Sequence, residues 1–83
     1  MVMFSNPLSY IYLVYDKEYI RSTTPFEVGD LLLDREQNTA CTCHYIHPFN
    51  HTVDVCDLQD DYVQYDMPQK RFYKLIPFNP RNN

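Results

Sequence analysis

Six cysteine and histidine residues lie within 16 positions of this sequence and are its first candidates for chemistry: Cys41, Cys43, His44, His47, His51 and Cys56. Four thiolate and imidazole ligands are the usual donors of a tetrahedral structural zinc site. If zinc binds, the best four ligands are Cys43, His47, His51 and Cys56. The spacing favours the alternative of buried thiols and a hairpin-tip histidine, because Cys41 and Cys43 lie about 6.6 Å apart on a strand and form no Cys-x-x-Cys knuckle.

A cysteine nucleophile paired with a histidine is the enzymatic interpretation of the same segment. Cys43 and His44 are adjacent, and adjacent strand residues face opposite ways, so they cannot pair. His47 or His51 would have to reach a cysteine, with Asp54 as the orienting acid. No segment supplies the backbone donors of an oxyanion site, so we predict that the protein is not an enzyme.

An acidic segment rich in tyrosine follows, in a stretch from Glu36 to Gln69 that contains no lysine or arginine. Tyrosine anchors many interfaces because it buries a large rigid area and keeps a polar tip. Carboxylates beside it would pair with cations of a partner. We therefore predict a docking face for a protein with a basic surface, formed by Asp54, Asp57, Asp60, Asp61, Tyr62, Tyr65 and Asp66. The alternative is an ordinary strand beside a solvated acidic loop.

The residues that follow are basic, with Lys70, Arg71 and Lys74 interleaved with Phe72 and Tyr73. Cations alternating with stacking aromatics are typical of single-stranded nucleic-acid binders. A net charge of −4 makes nucleic acid the weaker hypothesis. We expect these cations to pair with the Asp-rich turn and so to hold the last strand in place.

Short strands separated by turns account for nearly all of the sequence. They are predicted at 9–15, 31–34, 39–46, 52–58, 62–65 and 69–76, with 19–21 as a short return after the turn at 16–18. The sole glycine, Gly29, precedes the apolar run 31–33 and is predicted to supply a positive φ. A helical turn is expected only within 16–24. The fold prediction is mostly β: a small antiparallel barrel or curled sheet, SH3-like, of five to six strands.

Composition limits the architecture to a single domain, because 83 residues cannot bury two cores. We assign residues 1–78 to it and 79–83 to a loose C-terminal tail. An aromatic content of 16% and one glycine exclude a disordered tail, a collagen-like fibre, a coiled coil and a glycine-rich phosphate loop. The first eighteen residues predict no secretory signal, and no window predicts a membrane span. Three cysteines suit a reducing compartment, so we expect a cytoplasmic protein.

Three short segments resemble small phage-encoded β-rich accessory proteins: residues 11–18 (IYLVYDKE), 26–30 (FEVGD) and 72–77 (FYKLIP). The resemblance implies a viral accessory protein without catalytic residues, which inhibits a host protein such as a defence nuclease or RNA polymerase by covering its surface. Independently, we predict no cofactor. The resulting hypothesis is a non-enzymatic protein-binding module. The alternative is a zinc-stabilised or single-stranded nucleic-acid-binding small barrel, and a homodimer through an edge strand stays open.

Overall fold

The computed structural model describes residues 3–6 and 11–78. Within them, eight strands and one short 3₁₀ turn are joined by loops. The strands are β1 (Met3–Asn6), β2 (Ile11–Val14), β3 (Lys17–Ser22), β4 (Leu31–Asp34), β5 (Thr39–His47), β6 (Thr52–Asp57), β7 (Val63–Pro68) and β8 (Phe72–Pro77). The prediction of a mostly β, antiparallel domain is confirmed. Strand β1 has no counterpart among the predicted elements, and the expected tail, 79–83, lies outside the described residues.

All strand pairs are antiparallel, and the order across the sheet is β1-β2-β3-β8-β4-β5-β6-β7. Strand β8 therefore inserts between β3 and β4, which are consecutive in the chain. Among the described residues no pairing joins β1 to β7, so the sheet is open and does not close into a barrel. Of the two architectures expected, the structure has the curled sheet.

The curl is visible in contacts between strands that a flat sheet would hold far apart. Val14 on β2 packs in the same cluster as Ala40 on β5. Four strand spacings separate β2 from β5 in the sheet order, about 19 Å if the sheet were flat. The sheet therefore bends over its inner face, where Leu33 and Leu75 are buried with Tyr12.

The outer face carries a second apolar cluster, with more fully buried members than the first, because alternate residues of each strand point to opposite sides of the sheet. Its buried members are Leu32, Cys41, Cys43, Val53, Val55 and Phe72. Phe26, from the loop between β3 and β4, packs over this cluster. The loop is held down by Lys74, whose Nζ lies 3.0 Å from the Pro25 carbonyl oxygen and 3.0 Å from Asp30 Oδ2. Both faces of one sheet are thus partly covered by the chain itself.

The helical turn expected within 16–24 is absent from the structure. Residues 15 and 16 form a two-residue hairpin turn with φ of 50° and 65°, and β3 begins directly after it at Lys17. The 3₁₀ turn lies instead at Gln69–Arg71, inside a segment predicted as strand. Pro68 precedes this turn, and its missing N–H and fixed φ end β7 there. Among the described residues, no helix is long and apolar enough to cross a membrane.

The prediction for Gly29 is confirmed, since its φ is +96°. Its N–H donates to the Cys43 carbonyl at 2.8 Å, and Cys43 N–H donates to the Asp30 carbonyl at 2.8 Å, so this conformation joins the loop to β5.

Replacing Gly29 with alanine is expected to lower the free energy of unfolding by about 1–2 kcal/mol, because an L side chain is strained at positive φ. No atom lies within 4 Å of the position that the new Cβ would take, so the cost is backbone strain and not a clash. The exposed neighbour Val28→Ala serves as the control and should change stability by less than about 0.5 kcal/mol. Urea denaturation measures both, and equal midpoints for the two variants would contradict the assignment.

Candidate functional site

Strand β7 is an edge of the sheet and pairs only with β6 in the described structure. Five exposed residues lie on it and on the turn before it: Asp60, Asp61, Tyr62, Tyr65 and Asp66, here called the acidic edge. They lie within about 20 Å, the length of a six-residue strand. That span fits one partner's share of a standard interface, about 800 Å². Side chains that alternate along β7 point to opposite faces of the sheet. At an edge strand both faces are open at the side, so a partner that covers the edge can contact both sets of side chains.

The turn that begins the acidic edge is shaped by Asp57. Its Oδ1 accepts the N–H groups of Gln59 at 2.7 Å and Asp60 at 3.1 Å. Its backbone N–H donates to the Tyr62 carbonyl at 2.8 Å, and Asp61 N–H donates to its carbonyl at 3.0 Å. Asp57 was predicted as a docking residue, and the structure places it beneath the exposed turn as a half-buried support. Local bonds of this kind explain why aspartate is favoured in turns.

A β-bulge interrupts the pairing of β7 with β6 and exposes the second half of the acidic edge. The register shifts between Val53 and Val55, and Asp66 on the opposite strand has φ of 61°. Asp66 Oδ1 accepts the Thr52 hydroxyl at 2.8 Å. Tyr65 precedes this irregular residue and is 68% exposed. Bulges twist and interrupt a sheet edge, which disfavours continuous pairing with another strand.

Asp54 was predicted to lie on the docking face, and this is wrong: it is 6% exposed. Its Oδ1 accepts His47 Nε2–H at 2.8 Å and Asp66 N–H at 2.8 Å. The hydrogen bond from Asp66 N–H, with the hydrogen bond from His47 and the nearby histidine charges, outweighs burial and holds the pKa of Asp54 below 3.8. The Asp54 carboxylate therefore belongs to the interior of the bulge, where it accepts hydrogen bonds from two donors.

Tyr45 lies beside the hydrogen bonds of His47, Asp54 and Asp66, and the sequence analysis did not select it as a site residue. Its ring meets the His47 ring edge-on, with centroids 4.9 Å apart, and it is 53% exposed. A second bulge, between Cys43 and Tyr45, reverses the alternation, so that the residues of β5 after it point to the opposite faces from those the simple alternation predicts. Tyr45 and His47 are two apart in the chain, which is the one sequence signal that they share a face.

The basic residues of the last strand do not pair with the Asp-rich turn, and that expectation is wrong. Arg71 binds Asp34 through Nε–Oδ1 and Nη2–Oδ2 contacts, both 2.9 Å long. Lys74 binds Asp30 in the loop that covers the outer face. These cations are near Asp34 and Asp30 because β8 inserts beside β4, a neighbour relation that chain order does not reveal.

The basic and aromatic residues of β8 are also mostly buried or in contact with other side chains of the protein. Phe72 is buried, and Lys74 is 8% exposed. The Tyr73 ring is covered by two guanidinium groups, Arg21 at 4.3 Å and Arg35 at 4.7 Å from its centroid. A single-strand binder needs exposed rings beside free cations. In this structure the Tyr73 ring is covered, Phe72 is buried, and Arg71 and Lys74 are paired with carboxylates, so β8 presents no exposed ring beside a free cation among these residues.

The four suggested zinc ligands are not brought together. Cys43 lies in the outer-face cluster, whereas Cys56 is the pairing neighbour of Thr42 on the opposite side of the sheet. His47 bonds Asp54, and His51 is exposed in the hairpin turn with φ of 56°. Within residues 3–6 and 11–78, no three histidine, cysteine, aspartate or glutamate side chains are grouped as a metal site.

Asp54 does orient a histidine, as the enzymatic interpretation required, but within the described residues no hydrogen bond joins His47 to a cysteine: Cys41 Sγ contacts the Leu32 carbonyl and Cys56 Sγ the Asp57 carbonyl. Burial, reinforced by Asp34 and Asp57, raises the pKa of the Cys41 thiol to about 12. Burial also raises the pKa of Cys43, with Asp30 and Asp54 adding to the effect. Both thiols are therefore neutral and enclosed, and a cysteine nucleophile needs an accessible thiolate.

Comparisons with models of protein families, with curated proteins and with solved structures returned no match for the chain.

Proposed function

We propose that the protein is a non-enzymatic binding module whose acidic edge docks on a basic surface of another protein. The observation that carries the proposal is the exposure of Tyr62 and Tyr65, 63% and 68%, on the edge strand. Both rings are available to a partner without any change in the core.

The charges around these rings favour a basic partner. Within the described residues, no lysine, arginine or histidine forms an ion pair with Asp60 or Asp61. In contrast, Arg71 and Lys74 are paired with carboxylates elsewhere in the fold. Unpaired carboxylates would steer a basic surface toward the edge and set its orientation, while the tyrosines would supply most of the affinity.

The partner class that we propose is a host protein with a basic surface, as the resemblance to phage accessory proteins implies. The covered state of Tyr73 and the burial of Phe72 and Lys74 favour this function over single-stranded nucleic-acid binding. Bulging of β7, together with Pro68, favours side-chain docking over addition of a strand to the edge.

The test is affinity capture with paired variants that raise the net charge equally. Asp60→Lys with Asp61→Asn changes the acidic edge, and asparagine tolerates the φ of 55° at position 61. Glu27→Lys with Glu36→Gln is the control, at exposed sites outside the edge. We expect the first pair to lose the partner and the control to retain it.

Tyr62→Ala and Tyr65→Ala should each weaken binding of a captured partner by about 2 kcal/mol, the size of an interface hot spot. Isothermal titration calorimetry measures the loss. Equal capture by all the variants would overturn the assignment of this edge as the docking surface.

A further inference from the structure

An open cleft lies where the β4–β5 turn meets the 3₁₀ turn before β8. Its volume is about 410 Å³, within the range of about 300–1,000 Å³ that small-molecule sites occupy. Three cationic side chains line it, Arg35, Lys70 and Arg71, together with Pro68 and one carboxylate, Glu36. The two turns are joined by Arg35 N–H, which donates to the Arg71 carbonyl at 2.9 Å. Insertion of β8 beside β4 therefore brings together cations from distant parts of the sequence.

The Arg35 guanidinium is held in place by two contacts and keeps unused donors. Its Cζ lies 4.7 Å from the centre of the Tyr73 ring, and its Nη1 donates to the Lys70 carbonyl at 3.0 Å. Among residues 3–6 and 11–78, its other guanidinium N–H groups donate to no acceptor, and no carboxylate forms an ion pair with it. A guanidinium oriented in this way loses little side-chain entropy when it binds an anion.

Arg71 is fixed more firmly, because its Nε and Nη2 both donate to Asp34 at 2.9 Å. Its Nη1 lies 3.6 Å from Glu36 Oε1, which is too long for a hydrogen bond. The Glu36 side chain is exposed, so its carboxylate can leave the cleft without breaking a buried contact. An entering anion would take its place beside Arg71 Nη1.

The uncompensated charges of the cleft indicate the class of its ligand. Asp34 neutralises Arg71, whereas Arg35 and Lys70 form no ion pair in the described part of the chain. Two free cations match a doubly charged anion, and guanidinium and ammonium groups both bind phosphate in proteins. We infer that this cleft binds a dianionic phosphate group, either free phosphate or a phosphate monoester, through Arg35, Lys70 and Arg71 Nη1.

The backbone of a nucleic acid fits this cleft less well, because its phosphates are singly charged diesters in a continuous row. Binding of that polyanion needs cations that follow the strand, and the net charge of −4 opposes it. The residues of the cleft are not those of the acidic edge. The inference therefore goes beyond the proposed function and does not depend on it.

The test is titration of the full chain, followed by NMR at constant ionic strength and about pH 7.5, where a phosphate monoester is a dianion. The probes are inorganic phosphate, methyl phosphate and the singly charged dimethyl phosphate. We expect saturable shifts of the Nε–H signals of Arg35 and Arg71 and of the Lys70 amide with the first two probes. Dimethyl phosphate should bind about fivefold more weakly than methyl phosphate. Comparison of the first two probes shows whether the group is taken free or as a monoester.

Substitutions in the cleft should change phosphate affinity in opposite directions. Lys70→Gln removes an exposed ammonium and should weaken binding about fivefold, and Arg35→Gln should weaken it at least as much. Glu36→Gln should strengthen binding, because it removes the carboxylate that competes for Arg71. Lys17→Gln is the control, since it changes the net charge equally at an exposed site outside the cleft, and it should leave binding unchanged.

Three results would each overturn the inference: no saturable shift at Arg35 and Lys70, equal binding of dimethyl phosphate, or equal affinity of the Lys17 and Lys70 variants. Urea midpoints verify that the variants are folded, and titration of the natural sequence requires no variant. Failure of phosphate binding would leave the docking role of the acidic edge intact, because that role is tested by other substitutions.

Discussion

Replacing Asp34 with alanine should lower the free energy of unfolding by about 3–5 kcal/mol, the usual cost of breaking a buried ion pair from one side. The Asp34 side chain is 4% exposed and binds Arg71, itself 15% exposed, in a two-pronged contact. Asp34 Oδ1 also accepts the N–H groups of Glu36 at 2.9 Å and Gln37 at 3.3 Å. Its loss leaves the guanidinium without its carboxylate and the β4–β5 turn without its cap.

Urea denaturation followed by circular dichroism measures this effect, with Glu36→Gln as the control. Glu36 lies 3.6 Å from Arg71 Nη1 but is 71% exposed, so its loss should cost less than about 1 kcal/mol. A double-mutant cycle with Arg71→Ala isolates the pair energy, and the combined variant should be less unstable than the two single losses added. An Asp34→Ala variant within 1 kcal/mol of the natural protein would contradict the role given to this pair.

Replacing Asp54 with alanine should destabilise the protein by about 1–3 kcal/mol, because it leaves two partly buried donors without their acceptor. Those donors are His47 Nε2–H and Asp66 N–H, each 2.8 Å from Asp54 Oδ1. Since the second donor belongs to the β7 bulge, the variant should also weaken partner binding although Asp54 itself is not exposed. Hydrogen exchange would show faster opening at Asp66 and Met67.

Thr52→Val is the matched control for Asp54, because it removes an exposed bond to the same bulge residue and should cost less than about 1 kcal/mol. Unchanged exchange at Asp66 in the Asp54 variant would mean that the bulge is held by other contacts.

Acid should unfold the protein through the same two carboxylates. For Asp34, burial opposes ionisation, but hydrogen bonds from Arg71, Gln37 and Glu36 outweigh it and hold its pKa below 3.8. The pKa of Asp54 is also below 3.8. A carboxyl group with a lowered folded-state pKa stabilises above its unfolded value and loses that contribution as pH falls through the folded one. Stability should therefore decline below about pH 3.8, and less steeply in Asp34→Asn.

The acidic edge was predictable in part, because its charge depends only on which residues follow one another in a short segment of the sequence. The absence of lysine and arginine from Glu36 to Gln69 ensured that Asp60 and Asp61 would find no cation nearby in the chain. Exposure of Tyr62 and Tyr65 was not predictable, since a tyrosine in a strand fits a core as well as an interface. It depends on β7 being an edge, which is a property of strand order.

The errors have one origin in pairing between distant segments. Asp54 was expected at the surface, but a bulge turns its carboxylate toward His47 and Asp66. Arg71 and Lys74 were expected to pair with the Asp-rich turn, but β8 lies beside β4, so Asp34 and Asp30 are their partners. Neither the bulge nor the insertion of β8 between β3 and β4 can be recognised from the pattern of neighbouring residues in the sequence.

Residue types alone were enough to establish the β class, the antiparallel hairpins and the positive φ of Gly29, because these follow from backbone sterics and the two-residue repeat of strands. Three-dimensional packing alone decided which carboxylates are buried, which tyrosines are exposed and where the cleft forms. Each of these depends on strand order, bulges and curl, which arise from contacts between residues far apart in the chain and are set by the free energy of the whole sheet.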